Sequence, residues 1–261
     1  SYAAQLWDQG WTGPELALNT GTSQACALAA GAGAVLHEVM WRTRGRRPSP
    51  ALLKAALVAG ADAGPDGVAF DRGWGRLDLD GTARGLTDGT GVSLDQNETT
   101  ELNTGESYSS TFVVDASDVQ LALALAWTEP PGEADALHPL VNDLDLTLTS
   151  PSGTVFRGNV FSGRWSVPDP GGDRDSDNNV EVVRIENPET GTWMVRVVAG
   201  DVPQIPVGLT GQDFAVAATG DAAPCASPPS APTLVTADDL GANLVRVEWS
   251  AVSGATRYEV S

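Results

Sequence analysis

Leu121-Ala-Leu-Ala-Leu-Ala-Trp127 is the stretch that decides how this chain folds. Leucine and alanine alternate with a period of two, so Leu121, Leu123 and Leu125 share one face of an extended strand and the alanines share the other. The strand is expected over residues 119–127. Working outward, residues 111–114, 143–149, 154–157, 180–185, 192–198 and 214–218 read as further short strands. Turn-forming clusters separate them, among them Pro130-Pro131-Gly132, Ser150-Pro151-Ser152-Gly153 and Asp169-Pro170-Gly171-Gly172. Seven short strands with turn signals and no convincing helix predict an all-β domain over residues 86–222, a β-sandwich or a jelly roll.

Upstream the periodicity is helical. Residues 24–42 follow the turn Gly21-Thr22-Ser23 and are apolar all round the wheel, which predicts a buried helix. Ser49 and Pro50 form a start signal for a second helix over 51–59, with Leu52, Leu53, Ala56 and Leu57 on one face and Gly60 at its end. Residues 70–79 read as a turn leading into a short strand. Downstream, residues 224–232 form a Pro/Ser/Ala linker. Residues 243–250 then alternate again, and 257–261 open another strand, which predicts the start of a truncated β-sandwich.

The 261 residues carry a net charge of −19, which argues against a nucleic-acid partner. The charge is uneven. Residues 1–85 hold 8 acids and 8 bases, whereas 86–222 hold 22 acids and 5 bases, a balance of −17. That step marks an expected boundary near residue 86. The apolar run 25–35 is too short to span a bilayer, so no membrane partner is expected. Cys26 lies in the apolar helix and Cys225 in the linker, and no bridge between them is expected.

Ser23 is the candidate for chemistry. A hydroxyl at the amino end of an apolar helix sits beside backbone N–H groups that lack intrahelical acceptors, and the helix dipole favours an oxyanion there. The competing reading is a serine that caps the helix. Neither histidine suits the role of base. His37 is fourteen residues along the same helix, about 20 Å away at about 1.5 Å per residue, and His138 falls in the acidic segment.

Gly21-Thr22-Ser23-Gln24-Ala25 resembles the Gly-Thr-Ser-x-Ala motif of the subtilisin-like serine peptidases, and Ala30-Gly31 falls at that family's Ala-Gly step. Gln24 stands where the family usually has Met, and Ala27 where it usually has Pro. Gly73-Trp74-Gly75-Arg76-Leu77-Asp78-Leu79 resembles the segment that closes many subtilase catalytic domains. Leu123–Thr128, Leu140–Leu146 and Asn178-Asn179-Val180-Glu181 are similar to the C-terminal jelly-roll domain of a subset of bacterial subtilases, related to the P-domain of proprotein convertases. The last segment, with Trp249 and Tyr258, is similar to the start of a fibronectin type III domain.

The resemblance implies a multidomain chain. Residues 1–85 would be the C-terminal part of an α/β subtilase domain (two helices and a short strand region), 86–222 a jelly roll, and 223–261 a linker and truncated fibronectin type III domain. It implies a secreted serine endopeptidase, extracellular or at the cell surface, that acts on protein or peptide substrates. Ser23 would be the nucleophile, and the family order Asp, His, Ser places the catalytic Asp and His upstream of Ser1. The fragment alone is then expected to be inactive.

The acidic loop 169–179 is a candidate calcium site, with Asp173, Asp175, Asp177 and Asn178 as oxygen donors and Asp143 and Asp145 contributing from an adjacent strand. Calcium takes roughly six to eight hard oxygen ligands, which suits such a cluster; the competing reading is a solvated acidic loop. Trp127 and Trp193 read as core, and Trp165 as an exposed platform in a loop. Asn97-Glu98-Thr99 fits a glycosylation sequon. The alternative function is a non-catalytic β-sandwich that binds carbohydrate or a cell surface beside an inert peptidase remnant.

Overall fold

The computed structural model describes residues 21–45, 47–64, 73–87, 91, 93–95, 100–169, 171–172, 174–220, 222–224, 235–241 and 244–249. Contacts divide the chain into two compact units, Ser1–Arg47 and Pro48–Ser261.

In the first unit, α1 (Thr22–Arg44) is the helix expected from the apolar run, but it is not buried all round. Only Ala32, Leu36 and Met40 are buried, a single row at four-residue spacing, while Leu28, Val35 and Trp41 are exposed. An apolar helix is buried only on the sides that have neighbours, and composition does not say how many sides do. The helix ends at Gly45, whose φ of 72° is the left-handed conformation of a helix terminus and whose N–H bonds Trp41 O at 2.9 Å.

The second unit begins with α2 (Pro50–Ala59), started as expected by Ser49, whose Oγ accepts from Leu52 N at 3.0 Å, with Pro50 in the first turn. A third helix, α3 (Leu79–Thr87), follows. The strands are β1 (Ser93–Leu94), β2 (Glu101–Leu102), β3 (Ser107–Val114), β4 (Leu121–Ala126), β5 (Asp143–Thr149), β6 (Val155–Ser162), β7 (Trp165–Pro168), β8 (Val180–Ile185), β9 (Gly191–Asp201), β10 (Gln212–Asp213), β11 (Ala215–Thr219), β12 (Ala222–Pro224), β13 (Val235–Gly241) and β14 (Leu244–Trp249). They form an antiparallel four-stranded sheet β1-β11-β4-β8 and an antiparallel six-stranded sheet β12-β3-β9-β5-β6-β7, with β10-β2 and β13-β14 as two-stranded ribbons.

One apolar core lies between the two large sheets. Leu121, Leu123, Leu125, Val183, Ile185 and Val216 come from the first, and Phe112, Leu144, Leu146, Leu148, Trp193 and Val197 from the second. This is the sandwich that the leucine alternation predicts. The alanine side of β4 is not solvated. Ala124, Ala126, Ala215 and Ala217 are fully buried on the opposite face of the sheet, where α2 packs through Ala51, Leu52, Ala55, Ala56 and Ala59 across β4, β11 and β8. Small side chains on both partners allow the helix to approach closely.

Three details differ from the sequence reading. The charge changes near residue 86, but α2 and α3 already belong to the unit that holds the sheets. The short strand expected before residue 79 is reduced to one antiparallel bridge, Arg76 with Asp62, their N–H and C=O groups paired at 2.8 Å in both directions. Asp78 then starts α3 instead, accepting Gly81 N at 2.9 Å. The linker at 225–232, the sequon Asn97, Cys225 and residues 257–261 lie outside the described residues. No helix among the described residues is long and apolar enough to cross a membrane.

Candidate functional site

Helix α1 starts at Thr22, so Ser23 is the second residue of its first turn, and it is exposed. The N-cap is Gly21, with no side-chain hydrogen bond to the helix, so Ser23 does not act as the cap. At φ 151° and ψ 166° Gly21 adopts a backbone that L-residues rarely reach, and a Cβ there would lie 2.8 Å from Gln24 Oε1. The first helical bond runs from Ala25 N to Gly21 O at 3.2 Å. The amides before it lack intrahelical acceptors, and no acidic residue lies in the first turn. An exposed hydroxyl thus lies beside amides without intrahelical acceptors, at the positive end of a 23-residue helix, where an anionic oxygen is favoured.

The second constellation is a carboxylate cluster on β5. Asp143 and Asp145 share the face opposite Leu144, Leu146 and Leu148. The facing strand β9 bulges beside them: Asp143 pairs with Asp201 and Leu144 with Ala199, which leaves Gly200 as the extra residue. A Cβ on Gly200 would lie 3.0 Å from Asp143 Oδ2 and 3.1 Å from Asp145 Oδ2, so both carboxylates lean on the space that glycine leaves. Asp145 is 3% exposed. Its Oδ2 accepts from Arg174 Nη1, while Oδ1 of Asp145 and Oδ1 of Asp143 are buried without a hydrogen-bond partner.

Burial, then the neighbouring Asp145, pushes the Asp143 carboxyl up to about 6. Burial also raises Asp145, against the opposing pull of Arg174. Glu181 joins them from β8. It is 1% exposed, and its Oε2 accepts the N–H of Leu146 where β6 has diverged from β5. Burial holds its carboxyl well above the usual range, and Asp145, Asp175 and Asp143 add to the effect.

The loop residues divide. Asp175 Oδ1 accepts the N–H groups of Asp177 (2.9 Å) and Asn178 (3.2 Å), and its Oδ2 accepts from Asn159 Nδ2. Asn159, at φ 61°, also takes the N–H of Val182 at 2.9 Å, which ties Asp175 to β8. Asp177 turns to His138 (Oδ1–Nδ1 2.6 Å), and Asn178 Nδ2 donates to Asp175 Oδ2 at 2.8 Å. Asp173 lies outside the described residues. The structure therefore brings Asp143 and Asp145 together, with Asp175 close enough to perturb both, while Asp177 meets His138 and Asn178 donates to Asp175. The orphaned buried oxygens of Asp143 and Asp145 fit a hard cation. Among the described residues no three acidic, His or Cys side chains converge closely enough to hold a metal as they stand.

Sequence reasoning gave Glu181 no role, although its position carries a signal. It shares strand parity with Val183 and Ile185, so a carboxylate stands in an inward position of an apolar strand. Trp127 and Trp193 are buried, with their indole N–H groups bonded to Asn142 O and Glu189 O. Trp165 lies in β7 rather than a loop, is half-buried, and carries the Arg164 guanidinium 4.5 Å from its ring centre. Cys26 is free and exposed.

No family profile matches the chain. It is 30% identical over 205 residues to a Dictyostelium discoideum protein named serine protease/ABC transporter B family protein tagA, a match that covers 70% of this chain and 11% of that protein. A crystal structure of a Bacillus licheniformis lipase in propeptide form aligns at a TM-score of 0.24 and 17% identity, over 56% of this chain and 30% of the lipase. A protein of Sulfurospirillum deleyianum aligns at 0.25 and 10%, over 49% of this chain and 96% of its own. Neither alignment bears on fold or function at these values. The relationship on hand is thus a partial one: the chain is similar to a small stretch of a much longer protein that is named as a serine protease.

Proposed function

We propose that this chain is the serine-bearing, C-terminal portion of a secreted subtilisin-like endopeptidase, with Ser23 as nucleophile. The observation that carries this reading is the exposed Ser23 in the first turn of α1 behind a glycine N-cap. The protease name of the relative supports it. Ser23 Oγ attacks the scissile carbonyl of a protein or peptide substrate, a base takes its proton, and the acyl-enzyme is released by water. The Ser23 N–H and its first-turn neighbours stabilise the oxyanion. The base and its orienting acid precede Ser23 in the subtilisin-like order; His37, about 20 Å along the same helix, does not serve. Residues 86–222 act as the jelly roll that accompanies the catalytic domain, and 223–261 open a fibronectin type III domain.

The test is covalent labelling. A fluorophosphonate probe should modify the full-length protein, and Ser23→Ala should abolish labelling. Full labelling of the Ser23→Ala protein would overturn the assignment.

Calcium belongs to the same proposal, as a structural ion. Asp143 and Asp145 would hold it, with Asp175 next to them, and the ion would supply positive charge to a cluster of buried carboxylates. Saturating calcium should raise the melting temperature and chelation should lower it. A melting temperature indifferent to both would remove the ion from the proposal.

A further inference from the structure

Arg174 is the ion-pair partner of Asp145, and its position has a consequence for the calcium reading. The guanidinium meets Asp145 Oδ2 at the mouth of the cluster, with its own side chain 45% exposed and that of Asp145 only 4%. One guanidinium at one oxygen is a poor match for this site. Oδ1 of Asp145 and Oδ1 of Asp143 stay buried without a partner, although a guanidinium offers five N–H donors. Asp175 adds negative charge near both carboxylates and Asp201 near Asp143, and Arg157 is a second cation that acts on Asp145. Arg174 therefore leaves two buried carboxylate oxygens without a partner, and among the described residues no three acids have closed together.

We propose that Arg174 is a displaceable counter-ion: a divalent cation that enters between Asp143 and Asp145 expels the guanidinium, and segment 174–179 shifts with it. This rests on the reading of the cluster as a calcium site and adds a competition within it. The exchange replaces one positive charge with two and gives the orphaned oxygens an acceptor's partner. It also couples the ion to the loop, because Arg174 adjoins Asp175, whose Oδ1 organises the turn to Asn178 and whose Oδ2 is held by Asn159. A purely structural ion pair would behave in the opposite way, because loss of Arg174 would then loosen the loop and weaken the site.

Calcium titration of the full chain by calorimetry separates these cases. Wild type should bind, Arg174→Gln should bind at least about fivefold more tightly because its competitor is gone, Arg174→Lys should resemble wild type, and Asp145→Asn should not bind. Binding by wild type with equal or weaker binding by Arg174→Gln overturns the displacement and leaves the calcium reading intact. Absence of binding in both wild type and Arg174→Gln overturns the calcium reading and the displacement with it. A second measurement needs no variant: the Arg174 Nε–H resonance in the NMR spectrum should shift and lose exchange protection on calcium saturation. An unchanged resonance in calcium-saturated protein overturns the proposal.

Discussion

Gly158 makes room for Glu181. A Cβ built on Gly158 would stand 2.2 Å from Glu181 Oε2 and 2.6 Å from Glu181 Cβ, so the bare backbone of β6 allows the carboxylate to reach the Leu146 N–H. The Cβ of Glu181 is fixed to β8 and cannot rotate away. Gly158→Ala should therefore destabilise by about 1–3 kcal/mol, the range for overpacking a tight interior. Urea unfolding measures it, and a midpoint equal to wild type would show that β6 can move aside.

Arg184 joins the helix layer to the sandwich. It is 5% exposed, and its terminal nitrogens donate to Ala61 O (2.7 Å), Val58 O (3.0 Å) and Trp74 O (3.1 Å). These include carbonyls at the C-terminal end of α2, where a cation is favoured. Arg184→Met keeps the apolar stem and deletes the donors. The expected loss is on the order of 3 kcal/mol, read as a lower denaturation midpoint. A loss confined to a few tenths would mean that water replaces the guanidinium.

The Asp143 carboxyl, raised to about 6 from an ordinary 3.8, gives a pH signature. The folded state holds this proton more tightly than the unfolded chain does. Its contribution is thus fully present below about pH 4 and is lost as pH rises through about 6. In the presence of chelator, the stability of wild type relative to Asp143→Asn should fall across that window. A difference that is flat with pH would reject the shift. Calcium should bind more weakly as pH drops through about 6, because the ion competes with that proton.

Gly21→Ala tests how Ser23 is presented. The backbone at φ 151° strains any L-residue, typically by about 1–3 kcal/mol. The chain would relax by rotating the entry to α1. Helix content by circular dichroism should hold, while the rate of fluorophosphonate labelling of the full-length protein should fall by about tenfold or more. Unchanged labelling would mean that the serine is positioned by other contacts.

The sequence was legible where side-chain periodicity is long. All seven strands expected from alternation are present, and residues 143–149 and 180–185 match β5 and β8 to the residue. Among the missed strands, β1, β2 and β10 are two residues each, too short to show a period. Helix α3 escaped because its sequence holds two glycines and two threonines, all poor helix formers. Its usable signals were the cap at Asp78 and the Asp80–Arg84 pair, 2.6 Å apart. That Asp143 and Asp145 share one face of a strand was legible from their spacing. Glu181 signalled only a carboxylate at an inward strand position; its partner, the Leu146 N–H, was not legible, because Leu146 is thirty-five residues away in the chain. The helix at Ser23 was legible from composition, but its exposure was not, since burial depends on partners rather than on the helix itself.

The methyl-sized surface that β4 and β11 turn toward α2 leaves little freedom for change. Ala124, Ala126, Ala215 and Ala217 have no smaller neighbour to trade volume with, so any larger residue there must lift the whole helix off its bed. Lifting it would carry away Ala59, Ala61 and Asp62, which line the cleft of about 280 Å³ shared with Arg76, Arg164 and Arg184. The alanine side works as a hard stop, and it sets the height at which everything beyond the helix is built.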